Sequence, residues 1–156
     1  MFREMRRIKQ QLSIEECKEI LKSSNRAVLS VIGDYGYPYG VPVDFYYDIK
    51  NNAIYIHSAK EGHKIDAIKK CDKVSFTTWQ EKSKIEYGFE VISVILFGKA
   101  LFINDKKEIE KQLWKIGNKY HNNNEFNKSE IERNLDKVQI IKIEIEHMTG
   151  KHINEF

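Results

Sequence analysis

The segment from His57 to Lys64, HSAKEGHK, concentrates groups that could bind an anion or move a proton. The residues before it alternate between apolar and polar as in a strand, and those after it have apolar residues at helical spacing. The first turn of a helix has unpaired backbone N–H groups and a partial positive charge. We therefore predict a phosphate monoester site made by Ser58, Gly62 and Lys64, with a contribution from His63.

Other chemistries of this segment are open from the residues alone. It could be a solvated turn in which Gly62 eases the bend, and a hydrolase pair of Ser58 and Lys64 is a further alternative, although no GxSxG motif supports it. A GxxxxGK[ST] loop is absent, which argues against a bound nucleoside triphosphate. The five histidines show neither HxxxH nor HExxH spacing, so no metal site is predicted.

A proline interrupts the strand pattern before this segment, at Val41, Pro42 and Val43. Because proline has no N–H to donate to a ladder, this strand is predicted to lie at a sheet edge, or to face something other than a strand. A flat heterocycle with amide-like edges would be one such neighbour. An ordinary edge strand that proline protects from aggregation is the alternative.

The elements that position these residues are mostly strands. The pattern predicts six of them, at 26–33, 39–48, 53–58, 73–80, 90–103 with a bend near Gly98, and 138–148. Capping boxes predict helices at 14–23 and after Asp105, the NNNEFNK stretch is predicted as a loop, and Ser129 is predicted to cap a short helix. We expect a mainly β fold, a six-stranded antiparallel barrel of Greek-key type with helices packed outside, in one domain over 1–156.

Composition excludes several classes of protein. The 156 residues carry a formal net charge of +3 with both signs interspersed, so no nucleic-acid partner is expected. The two cysteines, Cys17 and Cys71, form no CxxC pair, which favours a cytoplasmic protein over a secreted one. The longest apolar run, VISVILFG, is too short to cross a membrane, so no membrane association is expected.

Several segments, in this order, resemble the FMN-binding split barrels that are similar to pyridoxamine 5′-phosphate oxidase, in the branch that contains the 5-nitroimidazole-resistance (Nim) proteins. The matching segments are GYPYGVPVDFYY, IYIHSAKEGHKIDAIKK, VSF, EVISVILFGKALFI and IIKIEIEHMTGK. The resemblance runs from about residue 3 to residue 151. It implies a six-stranded split barrel, a homodimer, and one FMN in each of two clefts at the subunit interface.

The resemblance also assigns roles to residues. It implies that Lys64 and Ser58 hold the FMN phosphate, with Gly62 and His63 close by. The backbone of Val41, Pro42 and Val43 is expected along the isoalloxazine ring, and Ser93 is expected to approach the polar edge of that ring. His57 is expected beside the flavin where a substrate could stack, and is the candidate proton donor, since an imidazole titrates near neutral pH. The alternative is that His57 only packs beside the ring.

Two departures from the family pattern bear on function. The chain lacks the C-terminal tryptophan and arginine with which pyridoxamine phosphate oxidase binds its substrate, and His63 stands where many relatives have arginine. The resemblance therefore implies an FMN-dependent oxidoreductase for small aromatic nitro compounds rather than the vitamin B6 reaction. A flavin-binding module for storage or sensing is the alternative, as is a related barrel that uses FAD, haem or deazaflavin.

Overall fold

The computed structural model describes residues 1–85 and 88–155. Seven described strands form one antiparallel sheet in the order β2-β1-β5-β6-β7-β4-β3. The strands are β1 (Ala27–Ile32), β2 (Pro38–Val43), β3 (Tyr46–Asp48), β4 (Ala53–Ala59), β5 (Lys73–Ile85), β6 (Gly88–Ile103) and β7 (Val138–Glu155). The described α-helices are α1 (Ile14–Ser23), α2 (His63–Lys70), α3 (Lys106–Tyr120) and α4 (Asn124–Asn134), and short 3-10 turns lie at Ile8–Gln10 and Asp34–Gly36.

The mainly β fold with flanking helices is confirmed, but the count of six strands is wrong. The single strand predicted over 39–48 is divided at Asp44 and Phe45 into β2 and β3. These two strands are the opposite edges of the sheet, although they follow each other in the chain. The sheet therefore curls until its edges approach, and it is an open sheet rather than a closed barrel.

Contacts with the end of α3 explain the break between β2 and β3. Tyr120 Oη accepts a hydrogen bond from the backbone N–H of Phe45 at 2.9 Å, and Lys119 Nζ donates to the carbonyl of Phe45 at 2.8 Å. The Phe45 ring is fully buried and packs edge-on against Phe76, with 4.9 Å between ring centroids. Because α3 satisfies both backbone groups of Phe45, the chain leaves the ladder here without stranding a polar group.

Helix α1 begins and ends at the predicted residues. Ser13 accepts a hydrogen bond from the backbone of Glu16, and Glu16 accepts one from the backbone of Ser13, which completes the predicted capping box. Cys17, Ile20 and Leu21 form its buried face. This helix packs on β3, β5, β6 and β7.

Helix α4 and strand β7 differ from the sequence prediction. The predicted loop NNNEFNK contains the start of α4, and Asn123 rather than Ser129 is the N-cap, because its side chain accepts from the N–H of Phe126 at 3.0 Å. Strand β7 continues past Met148 to Glu155, paired with β6 throughout. The residues after Met148 alternate only weakly between apolar and polar, so it is this long-range ladder that stabilises them as a strand.

The predicted bend in β6 is present as a register shift between Phe97 and Gly98. A side chain at Gly98 would collide with the carbonyl oxygen of Glu144 and would lie 2.8 Å from Ile143 Cγ2. Glycine is therefore required because the β7 backbone passes so closely. The core lies on the inner face of the curled sheet, and a second apolar cluster lies between β4, β7 and α3.

Candidate functional site

A gap between β2 and β4 lies where a curled sheet would otherwise close. The last pair between β3 and β4 is Tyr46 with Tyr55. Continuation of that register would bring Val43 level with Ser58, but in the described part of the chain β2 pairs with β1 alone. We call this gap, bordered by Val41–Val43 and by His57–Ala59, the split. The backbone edges that face it have no strand partner among the described residues.

Pro42 lies on the edge strand β2, as its missing N–H predicted. It pairs with Val28 of β1 and its side chain is exposed, whereas Val43 is buried in the core and Val41 packs against it. The Pro42 nitrogen carries no hydrogen, so the ladder between β2 and β1 loses no hydrogen bond when that nitrogen faces the split. The contact of a flavin ring with this backbone stays a prediction.

Ser58 is the polar side chain that the fold buries at the split. The residue is 7% exposed and follows Ile54 and Ile56 on the core face of β4. Its hydroxyl makes no hydrogen bond with any described residue. A buried hydroxyl without a partner costs about 1–3 kcal/mol, so native proteins rarely keep one unless a ligand or water completes it.

The start of α2 supplies further groups that could hold a phosphate. Gly62 is the N-cap with φ 132° and ψ 171°, and no side chain caps the helix. A Cβ at Gly62 would meet nothing within 4 Å, so the positive φ rather than crowding requires glycine there. Lys64, in the first turn, is half-buried and forms no ion pair with any described residue. The free N–H groups, the ammonium and the orphaned Ser58 hydroxyl fit a phosphate ester.

His63 faces the turn between β1 and β2. Its Nε2 lies 3.2 Å from the backbone nitrogen of Asp34 and 3.8 Å from the carboxylate of the same residue. Its ring stacks on Tyr39, with 4.1 Å between centroids. Nε2 accepts the Asp34 N–H, so the neutral ring carries its proton on Nδ1. These contacts fix the start of α2 against the β1–β2 turn, and the phosphate contact of His63 stays a prediction.

His57 points away from Ser58, because neighbouring residues of a strand face opposite sides. It is exposed and lines a cleft of about 610 Å³ between β4, α3 and α4. The sequence did not predict the rest of this cleft. Its polar lining includes Asp44, Tyr120, His121 and Glu130. Its apolar lining is Leu113, Ile116, Phe126, Ile131 and Val138. Most of these residues come from α3 and α4, which are distant in sequence from His57, and no motif marks them.

Ser93 lies on β6, the middle strand of the sheet. It pairs with Lys151 of β7, whereas His57 pairs with Ile140 of the same strand. On its other side Ser93 pairs with Trp79 of β5, so β5 and β1 lie between it and β2. Ser93 also lies on the outward face of the sheet, beside Trp79. The contact of Ser93 with the polar edge of a flavin stays a prediction.

The outward face around Ser93 is apolar and exposed. Its large side chains are each 40–53% exposed, and they are Trp79, Phe89, Ile95, Phe97 and Leu101. Single exposed apolar residues are normal, but five on adjacent strands of one sheet are typical of an interaction surface.

The described residues contain no group of three or more histidine, cysteine, aspartate or glutamate side chains placed to hold a metal ion. None of their helices combines the length and the apolar character that a membrane span requires.

Comparisons with known proteins give consistent results. The sequence profile described as pyridoxamine 5′-phosphate oxidase matches residues 13–152. No curated protein matches the chain.

Among solved structures, a proposed 5-nitroimidazole antibiotic resistance protein from Bacteroides thetaiotaomicron is similar at a TM-score of 0.79 and 23% identity, covering 93% of this chain and 87% of that one. An FAD-binding protein from Mesorhizobium loti has a TM-score of 0.71 and 21% identity, with 92% and 97% covered. The flavocytochrome Anf3 from Azotobacter vinelandii has a TM-score of 0.75 and 18% identity, with 95% and 71% covered. At these identities the structures show a shared fold.

Proposed function

The chain belongs to the pyridoxamine 5′-phosphate oxidase family, and on that premise we propose that it is an FMN-binding oxidoreductase that reduces small aromatic nitro compounds. The observation that carries the cofactor part is the buried Ser58 hydroxyl, which has no hydrogen-bond partner among the described residues and lies at the split. The similar structures described as FAD-binding and as a flavocytochrome support a flavin. FAD is the alternative form of the same cofactor.

The residues of the split divide the binding of the flavin between them. Ser58, Lys64 and the N–H groups that follow Gly62 would hold the phosphate, and the backbone of Val41–Val43 would lie along the ring. His63 would contribute by fixing the start of α2 on Asp34 and Tyr39. When bound, the flavin supplies the electron transfer, and the protein supplies position, electrostatics and protons.

A second copy of the chain would complete the site. The exposed apolar face that contains Trp79, Ile95 and Phe97 would form the interface of a homodimer. Ser93 lies on this face, so the dimer would bring it to the polar edge of a flavin held mainly by the other subunit. We place the protein in the cytoplasm because Cys17 and Cys71 are both free thiols.

His57 is our proposed proton donor. Its exposed ring lies where the split meets the cleft formed by α3 and α4, so it can contact both solvent and a substrate that enters there. The apolar walls of that cleft suit an uncharged aromatic substrate. The similarity to a proposed 5-nitroimidazole resistance protein favours a nitro compound as that substrate.

The absorption spectrum of the purified protein is the first test. Flavin absorption bands, together with release of FMN on denaturation, would support the proposal. Release of FAD or deazaflavin, or a haem absorption band, would show that the protein binds that cofactor instead of FMN. Anaerobic mixing with NADH or NADPH and then with a 5-nitroimidazole tests turnover. A flavin that neither donor reduces would favour the storage or sensing alternative.

The His57→Ala variant separates binding from chemistry. We expect it to retain flavin and to lose at least tenfold in nitroreduction, because it removes the proton donor and leaves the phosphate groups intact. His121→Gln, on the opposite wall of the same cleft, is the matched control. Equal turnover in wild type and His57→Ala would remove His57 from the mechanism.

A further inference from the structure

Five lysines surround a second cavity, distinct from the cleft that His57 lines. This cavity has a volume of about 580 Å³ and lies against β3 and the outer side of α3. We call it the lysine pocket, and its basic residues are Lys22, Lys50, Lys111, Lys115 and Lys119. They come from the last turn of α1, from the β3–β4 turn and from α3.

The lysines of α3 share one helix face. Lys111, Lys115 and Lys119 recur every four residues, and like charges at this spacing destabilise a helix. The chain adds Lys22 and Lys50 to the same cavity from other elements. The ammonium groups of these lysines repel one another unless a negative charge lies between them.

The described carboxylates compensate two of the five lysines. Lys111 lies 3.4 Å from Glu108, and Lys115 lies 2.9 Å from Asp48. Lys22, Lys50 and Lys119 have no carboxylate within ion-pair distance among the described residues, so three positive charges of the pocket are without a counter-ion there.

Asp48 is fully engaged in building the pocket. Its carboxylate accepts hydrogen bonds from Lys115, from the backbone of Lys50 and Asn51, and from the Asn51 side chain. Burial alone would raise its pKa, but these hydrogen bonds outweigh burial and hold the pKa below the usual value. Asp48 thus stays charged and fixes the turn that carries Lys50.

Lys119 is the buried member of the cluster. Its ammonium donates to the carbonyls of Ser24 at 2.6 Å and Phe45 at 2.8 Å, and it lies 3.8 Å from the centroid of the Phe45 ring. Burial, with a smaller contribution from Arg26 and against the attraction of Asp44, lowers its pKa to about 8. An anion in the pocket would therefore stabilise a charge that the free protein holds at a cost.

We propose that the lysine pocket binds a compact polyanion with two or three negative charges, namely a di- or triphosphate group. The three uncompensated lysines set this charge, and a volume of about 580 Å³ leaves room for more than one phosphate. The pocket is separate from the flavin phosphate site, because Asp48 pairs with Ala53 and Ser58 lies five residues further along β4, roughly 17 Å away. The phosphate chain could be inorganic or part of a nucleotide.

Calorimetric titration with inorganic tripolyphosphate at low salt tests the proposal, on protein with and without saturating FMN. We expect binding in both states, and a loss of at least tenfold in the double variant Lys22→Gln/Lys50→Gln, whose two side chains are exposed and safe for folding. The matched control is Lys9→Gln/Lys73→Gln, which removes the same charge from exposed lysines outside the pocket and should change affinity less than twofold.

Three outcomes would overturn the proposal. These are absence of binding at millimolar tripolyphosphate, an equal loss in the pocket and control variants, and a loss of binding in Lys64→Ala but not in the pocket variant. The second would assign binding to net charge, and the third to the flavin phosphate site. A parallel titration with ATP distinguishes the sources: tighter ATP binding that the pocket variant also weakens indicates a nucleotide, and equal affinity indicates the phosphate chain alone.

Discussion

Replacement of Ser58 by alanine should move stability and flavin affinity in opposite directions. In the flavin-free protein the Ser58 hydroxyl is buried and has no partner among the described residues. Removal of such a group recovers its desolvation penalty, about 1–3 kcal/mol, and leaves only a one-atom void. We therefore expect the free energy of unfolding of the flavin-free variant to rise by about 1 kcal/mol, or roughly 2–4 °C in Tm for a chain of this size.

The same change should weaken flavin binding. A hydrogen bond to a charged group contributes about 1.5–3 kcal/mol, and a loss at the lower end of this range corresponds to about tenfold in Kd. Urea denaturation of the flavin-free protein measures the first effect. Quenching of FMN fluorescence on titration with protein measures the second.

Thr78→Val is the matched control for this experiment. Thr78 is fully buried and Ser58 nearly so, but the Thr78 hydroxyl donates to the carbonyl of Arg26 at 2.7 Å. Valine keeps the shape and strands that carbonyl, so stability should fall by about 1 kcal/mol with little change in FMN affinity. Lower stability and unchanged FMN affinity in Ser58→Ala, as expected for Thr78→Val, would show that the Ser58 hydroxyl does not contact the flavin phosphate.

Three further predictions follow from other residues. Lys64→Ala should weaken FMN binding at least tenfold, or about 1.4 kcal/mol, in the fluorescence titration, because its ammonium has no other described counter-ion. Gly98→Ala should lower the free energy of unfolding by about 1–3 kcal/mol in urea, because a Cβ there would collide with the β7 backbone. The pKa of Lys119 is about 8 in the folded protein, against the usual 10.5 in the unfolded chain. Because the unfolded chain binds this proton more tightly, Lys119 makes the free energy of unfolding rise with pH between about 8 and 10. In urea titrations, the free energy of unfolding should therefore increase less between pH 7.5 and 9.5 for Lys119→Met than for wild type.

Each of these predictions has an outcome that contradicts it. Wild-type FMN affinity in Lys64→Ala would show that the phosphate lies elsewhere, and Lys69→Ala, on the exposed side of the same helix, controls for lost charge. Unchanged stability in Gly98→Ala would mean that the two strands separate at little cost. Parallel pH profiles for wild type and Lys119→Met would mean that Lys119 titrates as an exposed lysine does. Burial raises the pKa of the Cys17 thiol to about 11, and its effect on stability is removed when one profile is subtracted from the other.

Local signals in the sequence predicted local structure well. Helix α1 has a complete capping box and an apolar face of its own, so its bounds were predicted correctly. The break at Phe45 was not predicted, because its backbone partner Tyr120 is 75 residues away. The same cause hid the extension of β7, which β6 stabilises through pairs such as Ile92 with His152.

The candidate site divides in the same way. Ser58, Gly62 and Lys64 lie within one strand-to-helix connection, so their types and spacing were enough to place them together. The side-chain direction of His63 depends on Asp34, 29 residues earlier in the chain, and no pattern encodes that contact. The cleft beside His57 was missed because α3 and α4 bring its walls from a remote segment.

The division between β2 and β3 also determines how the split can move. The two edge strands are joined by Asp44 and Phe45 alone, and they share no ladder hydrogen bond in the described structure. A change in the width of the gap would therefore break no ladder hydrogen bond between β2 and β3, while Tyr120 and Lys119 hold the connecting residue Phe45. We therefore expect the last turn of α3 to influence the width of the split. Hydrogen exchange at the Phe45 amide would report on it directly, with slower exchange expected once a cofactor bridges the two edges.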